Sequence, residues 1–316
     1  MALRTKVVNG KKYYYLDASY FILNRTKTFS KYIGAEKPSG NDIEKIEDRF
    51  KSEIISRLAG KEHTNKMISK DAVIKALLFR NAFNNAFSSL SKSRKRQYEV
   101  DSTILFTLTT LTTEGVDVGF RDVKNAFEKS RELNTREQIS KNMLRAVESI
   151  KESHALDKKY LLELHRTIMT GFEEKNPGIL RKRQVYLHMQ DTRNPAGKEI
   201  AYRPPHYKKL DKLVGEFIMW YNSTKLNPIE KAALAHYKLY RTHPFLDGNK
   251  RICRLILNKT LLDGGFQLLN ISVKKDSYFE SLIDSVEKDT PKRLAEFTLK
   301  EFFRQTKDFL KLHTSS

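Results

Sequence analysis

"NPIEKAALAHYKLYRTHPFLDGNKRICRLILNKTLLDGG", residues 227–265, decides how the chain is read. Its first part, 227–242, places Ala232, Ala235 and Leu239 on one face at helical spacing. Pro244 bars a simple continuation, because proline lacks an amide donor and clashes with the preceding turn. From Lys250 the helical pattern restarts, and Gly264 can end it. The stretch is therefore two helices joined by the loop "HPFLDGN", 243–249.

That loop is dense in polar groups that a core cannot bury unpaired. The restarted helix offers unpaired N–H groups and the positive end of its dipole, which together favour an anion. Gly248 lets backbone approach a ligand closely. Asn249, Lys250, Arg251 and Arg254 add donors suited to phosphate oxygens. Asp247 offers the hard carboxylate by which Mg²⁺ attaches beside phosphates while keeping most of its waters. His243 can take a proton near neutral pH. Taken singly, each has a structural reading: a capping histidine, a turn aspartate, a solvated arginine pair. Seven such positions within 243–254 point instead to a Mg-nucleotide site with a histidine base. The expected chemistry is attack of a hydroxyl on a phosphoryl group.

Moving outward, 316 residues suffice for one large domain or two modest ones. A chain 39% hydrophobic and 31% charged fits a soluble, helix-rich protein. No run approaches the roughly 18 apolar residues of a membrane span, so no membrane association is expected. The opening "MALRTKVVNGKKYYYL" has no apolar core of a secretory leader, and the single cysteine, Cys253, excludes an intrachain disulfide. The expected location is cytoplasmic. Net charge is +21, from 59 Lys and Arg against 38 Asp and Glu. Runs such as "SKSRKRQ" (91–97) and "LRKRQ" (180–184) are not interleaved with aromatic residues, which favours a polyanionic small ligand over nucleic acid.

Residues 5–16 read as a hairpin about Asn9-Gly10. Helices are predicted over 42–60, 70–90, 136–153 and 157–172, with Gly60 as a C-cap and 91–97 as a solvated connector. The threonine-rich stretch 101–113 fits a strand as well as a buried helix. Asn176-Pro177-Gly178 breaks the chain, and 183–203 form a second hairpin around "NPAG" (194–197). Helices resume at 206, and an amphipathic pair closes the chain at about 276–311.

The segment 243–254 resembles the Fic family motif H-x-F-x-[D/E]-G-N-G-R-x-x-R, departing at Lys250. "LLELHRTIM", "PGILRKRQVYL", "YRPP" and "SYFESL" (277–282) extend the resemblance over about 100–305. It implies a mainly α fold: a Fic-type helical bundle with a β-hairpin flap, here preceded by a small N-terminal β-hairpin. The division expected is an N-terminal region, 1–100, and a Fic core, 101–311. The resemblance implies transfer of AMP from ATP, with Mg²⁺, to a Ser, Thr or Tyr hydroxyl of a target protein or of the chain itself. His243 would be the base, and Asp247 would hold the metal. Gly248, Asn249, Lys250, Arg251 and Arg254 would bind phosphate, and Tyr278 and Phe279 would border the adenine. Val185, Tyr186 and Leu187 of the flap would dock the target by strand addition. "TLTTEG", 110–115, fits the family's inhibitory pattern, and Glu114 would pair with Arg254 to block the productive ATP pose. Removal of AMP at the same site, and assembly into homo-oligomers, are compatible with this resemblance. Lys250 keeps a Doc-like kinase activity as one alternative; a nucleic-acid-binding protein with an inactive Fic core is the other.

Overall fold

The computed structural model describes residues 1–22, 25–59, 67–128, 133–152, 154–190, 199–271 and 275–314. The chain opens with strands β1 (Ala2–Val8), β2 (Lys11–Ile22) and β3 (Arg25–Gly34), in one antiparallel sheet of that order. Asn9 and Gly10, at φ 50° and 75°, make the tight turn their sequence predicts. The expected hairpin is thus two strands of a three-stranded sheet. The third is not legible in sequence because 25–34, RTKTFSKYIG, opens on four polar residues and shows no polar–apolar alternation.

Helix α1 (Gly40–Ala59) covers one face of the sheet, where Leu16 and Ala18 meet Phe50 and Ile54 in a small core. The predicted cap at Gly60 lies outside the described residues. Helix α2 (Lys70–Ser89) starts at Ser69, whose hydroxyl accepts from the Ala72 N–H. Helix α3 (Lys92–Thr113) follows at once, capped by Ser91. The basic run 91–97 is therefore its exposed first turns and not a connector, because Ser91 supplies an N-cap that starts the helix there. The ambiguous threonine stretch is its buried continuation. Thr103 and Thr113 return their hydroxyls to the carbonyls of Glu99 and Thr109, which lets a β-prone sequence sit in a helix, although the buried Thr107 hydroxyl has no such partner.

Helices α4 (Phe120–Glu128), α5 (Thr135–Lys151) and α6 (Lys158–Met169) come next, α5 opening with an Asn134–Glu137 capping box. Strands β4 (Leu187–Gln190) and β5 (Glu199–Tyr202) form the flap; its "NPAG" tip lies outside the described residues. Helices α7 (Leu210–Ser223), α8 (Pro228–Thr242), α9 (Asn249–Asp263), α10 (Lys275–Glu287) and α11 (Lys292–Thr314) complete the bundle.

The centre is the α8–α9 pair read first from the sequence. Every residue of α9 from Arg251 to Leu261 is buried. A Cβ at Gly264 would lie 2.5 Å from Pro228, so only glycine lets the end of α9 close on the start of α8. Glu230, fully buried, accepts from the Met67 and Ile68 N–H groups at 3.0 and 3.3 Å, and Arg80 donates to the Gly264 carbonyl. Met67, Val73, Ala76 and Leu77 consequently share the main core, and a boundary at residue 100 falls inside α3. No described helix is long and apolar enough to cross a membrane.

Candidate active site

His243 ends α8 in the left-handed conformation, φ 46° and ψ 62°, its N–H on the Leu239 carbonyl. This reversal turns the ring back toward α9. The loop beyond is held by Asn249, whose amide accepts from the Phe245 N–H and donates to the Phe245 carbonyl, both at 2.9 Å. Asn249, expected among the phosphate donors, spends its side-chain amide on closing the loop. Phe245 is fully buried and lies flat on His165, ring centroids 3.7 Å apart.

His165 itself accepts the Gly178 N–H on Nδ1, so Nε2 carries the proton it donates to the Asp247 carbonyl, 3.0 Å away. Burial above all pushes its pKa down to about 4, so the ring stays neutral in this role. It thereby ties α6 to the loop before α9. Gly248, at φ 73°, begins α9; a Cβ there would come within 3.0 Å of Met169 Sδ.

Arg181 was not singled out by sequence. It is buried and donates to the carbonyls of His243, Arg183 and Pro205 at 2.8, 3.0 and 2.6 Å, while its own N–H reaches the Pro244 carbonyl. One guanidinium thus ties both arms of the flap to the base of the loop. Tyr202 adds a bond to the Arg241 carbonyl, and Tyr240 one to Met189 Sδ.

The flap, the loop and α3 enclose a cavity of about 220 Å³, lined by Glu114, His243, Asp247, Gly248, Lys250 and the flap residues 186–189. His243 is 8% exposed; burial, then Arg181 and Lys250, push its pKa down to about 4. It is neutral at pH 7 and able to accept a proton. Glu114, at the C-terminal end of α3, binds Arg254 at 2.7 Å and Lys250 at 3.3 Å. Burial alone would raise its pKa, but the charges of Arg254 and Lys250 outweigh it and keep the carboxylate ionised. The expected Glu114–Arg254 pair is present, and Lys250 joins it.

Arg254 is fully buried and also reaches the Thr110 carbonyl at 2.9 Å and the Tyr278 hydroxyl at 3.3 Å. Tyr278 in turn meets His236 Nε2 at 2.9 Å. Expected to border an adenine, Tyr278 is completely buried and anchors Arg254, because its hydroxyl finds two buried partners. Phe279 lies half-buried beneath the Lys250 ammonium, 5.4 Å from its ring centre. Arg251 stands 3.5 Å from Asp247. In the flap, Leu187 begins β4, while Val185 and Tyr186 precede the strand, so of the three residues expected to dock a target only Leu187 is in the paired strand.

Asp247 fits a phosphate-linked Mg²⁺. Its side chain is half exposed at the cavity edge, beside the α9 N-terminus and Arg251. Among the described residues no cluster of three or more His, Cys, Asp or Glu could hold a metal alone. Such an ion would therefore be held between Asp247 and the ligand's own oxygens.

Residues 155–261 match the family model described as Fic/DOC family. The Caenorhabditis briggsae protein named protein adenylyltransferase fic-1 is 34% identical over 136 residues, 42% of this chain and 24% of that protein. Protein adenylyltransferase Fic of Drosophila erecta is 40% identical over 111 residues, 34% of this chain and 20% of its own length. The matched region thus spans under a quarter of these relatives. Among solved structures, Fic-1 (residues 134–508) of Caenorhabditis elegans superposes with a TM-score of 0.66 at 20% identity, covering 89% of this chain and 80% of that one. A Fic domain-containing signaling protein of Bacteroides thetaiotaomicron gives 0.60 at 21% identity, covering 76% and 94%. At such identities the structural likeness establishes the fold.

Proposed function

We propose, from the premise that this chain is a Fic-domain protein, that it transfers AMP from ATP to a protein hydroxyl and that Glu114 restrains the reaction. One observation carries the reading. A cavity lined by a neutral His243, a half-exposed Asp247 and Lys250 is also lined by Glu114, whose carboxylate occupies Lys250 and the Arg254 buried behind it.

With Glu114 withdrawn, Lys250 and Arg254 would receive the terminal phosphates, and the α9 N-terminus with Arg251 would receive the inner ones. Asp247 would hold Mg²⁺, which would neutralise charge on the phosphate oxygens. The acceptor hydroxyl attacks the α-phosphorus in line, the bond to the β-phosphate oxygen breaks, and pyrophosphate leaves. The hydroxyl proton passes to His243. Bound polyphosphate offsets the positive field of Lys250 that depresses the imidazole, so the base strengthens once its substrate is in place. The flap would present the acceptor segment by backbone pairing along β4, which suits a target read by its main chain.

The test is auto-modification with ATP labelled on either phosphate. Glu114→Gly should raise α-label incorporation by at least about tenfold, equivalent to ~1.4 kcal/mol. His243→Ala in that background should abolish it. Incorporation of γ-label without α-label would replace AMP transfer by phosphotransfer, the activity for which Lys250 is the sequence argument.

A further inference from the structure

The N-terminal sheet has one face against α1, and its other face breaks the usual rule. In a sheet covered on one side, outward positions alternate as small polar residues. Here the outward residues of β2 and β3 include Tyr13, Tyr15 and Tyr32. The ring centres of Tyr13 and Tyr15 lie 6.2 and 5.4 Å from that of Tyr32, which is 52% exposed. Antiparallel register puts Arg4 opposite Tyr15 and Lys6 opposite Tyr13, so cations of β1 flank the rings on the same face. Arg4 sits 4.9 Å above the Tyr15 ring and pairs with Asp17, the one acid within residues 1–34 against seven lysines and arginines. Lys6 and Lys11 make no ion pair among the described residues. The aromatic and basic residues that the runs at 91–97 and 180–184 lack in combination are interleaved here, in three dimensions.

We propose that this open face binds single-stranded RNA. Unpaired bases stack on tyrosine rings irrespective of sequence, and phosphates follow the cationic edge strand. Charge complementarity favours a polyanion, and tilted rings standing on a sheet suit separated bases better than a closed duplex. Beside the rings, on the same face, Ser19 bonds Thr28 at 2.8 Å and Ser30 bonds Asp17. That row of hydroxyls can both give and accept hydrogen bonds, as a ribose 2′-hydroxyl requires. The competing account is that the rings only stabilise the sheet as cross-strand pairs.

Fluorescence anisotropy of a labelled 12-mer oligouridylate with the full chain decides between them. The expected result is saturable binding that weakens with salt, at a log–log slope of about −2 for roughly three phosphate contacts. Tyr32→Ala should weaken it by at least about fivefold. Lys6→Glu should weaken it and flatten the salt slope, whereas Lys95→Glu on α3 should leave it unchanged. Unaltered α-label incorporation in the Glu114→Gly background shows that each variant remains folded. Tyr15→Phe, which keeps the ring, should bind like the parent. The proposal fails if the oligouridylate does not bind at low salt, or if Tyr32→Ala leaves binding intact. It fails equally if Lys95→Glu costs as much as Lys6→Glu, or if a deoxy 12-mer or a duplex binds as tightly.

Discussion

Arg254 has four potential anchors in the resting chain: Glu114, the Thr110 carbonyl, the Tyr278 hydroxyl and the Tyr278 ring. Removing Glu114 leaves the last three to fix a fully buried guanidinium. Tyr278→Phe in the Glu114→Gly background is therefore expected to raise the KM for ATP roughly three- to tenfold with little change in kcat. That change is about 1 kcal/mol of lost positioning; steady-state kinetics with varied ATP checks it. His243 supplies a second expectation. Because burial lowers its pKa to about 4, the neutral form persists well below pH 6.5. The acid limb of kcat/KM for Glu114→Gly should accordingly fall nearer pH 4 than pH 6.5, measured as label incorporation across pH 4–8. At this scale the sequence marked His243, Asp247, Arg251 and Arg254 as neighbours, but it did not show the partners of Asn249 and Tyr278. A motif carries donor types; whether a donor faces a cavity or its own backbone depends on a turn only three residues long. Arg181 was illegible for another reason, since its carbonyl partner His243 lies 62 residues away.

Helix starts were legible where a side chain caps them and misread where charge dominated the impression. Ser91 outweighs six polar or basic neighbours because one accepted N–H fixes the first turn of α3. The consequence reaches the site, as the far end of that continuous helix is what carries Glu114 to Arg254. The α8 start shows how one cap binds distant elements. Asn227 caps it, Pro228 sits in the first turn, and Glu230 turns back to Asn227 and outward to two amides of residues 67–68. Replacing Glu230 by Ala strands those buried donors. The expected loss is about 3 kcal/mol, read as a lower urea midpoint. Glu230→Gln keeps one acceptor oxygen and should lose less, about half as much.

The whole molecule concentrates ionisable groups in its centre, and this couples folding to pH. His236 is fully buried on α8, and burial, then the nearby Arg254, drive its pKa down to about 3; His243 and His165 follow at about 4. All three rings titrate near 6.5 in the unfolded chain. Between pH 6.5 and about 4 the unfolded chain therefore holds protons that the native chain refuses. Stability rises with pH wherever the unfolded state binds more protons, so acidification through this window favours unfolding. Each pKa unit of depression corresponds to ~1.4 kcal/mol, so three such rings account for a loss of several kcal/mol on acidification. Urea midpoints taken at pH 7.5, 5.5 and 4.5 should fall steadily for the parent chain. His236→Gln removes one of these three refused protons, and whatever its stability at pH 7.5, its midpoint should fall less steeply over the same interval. Parallel slopes would mean that His236 already carries its proton in the native fold, which would place a second positive charge beside Arg254.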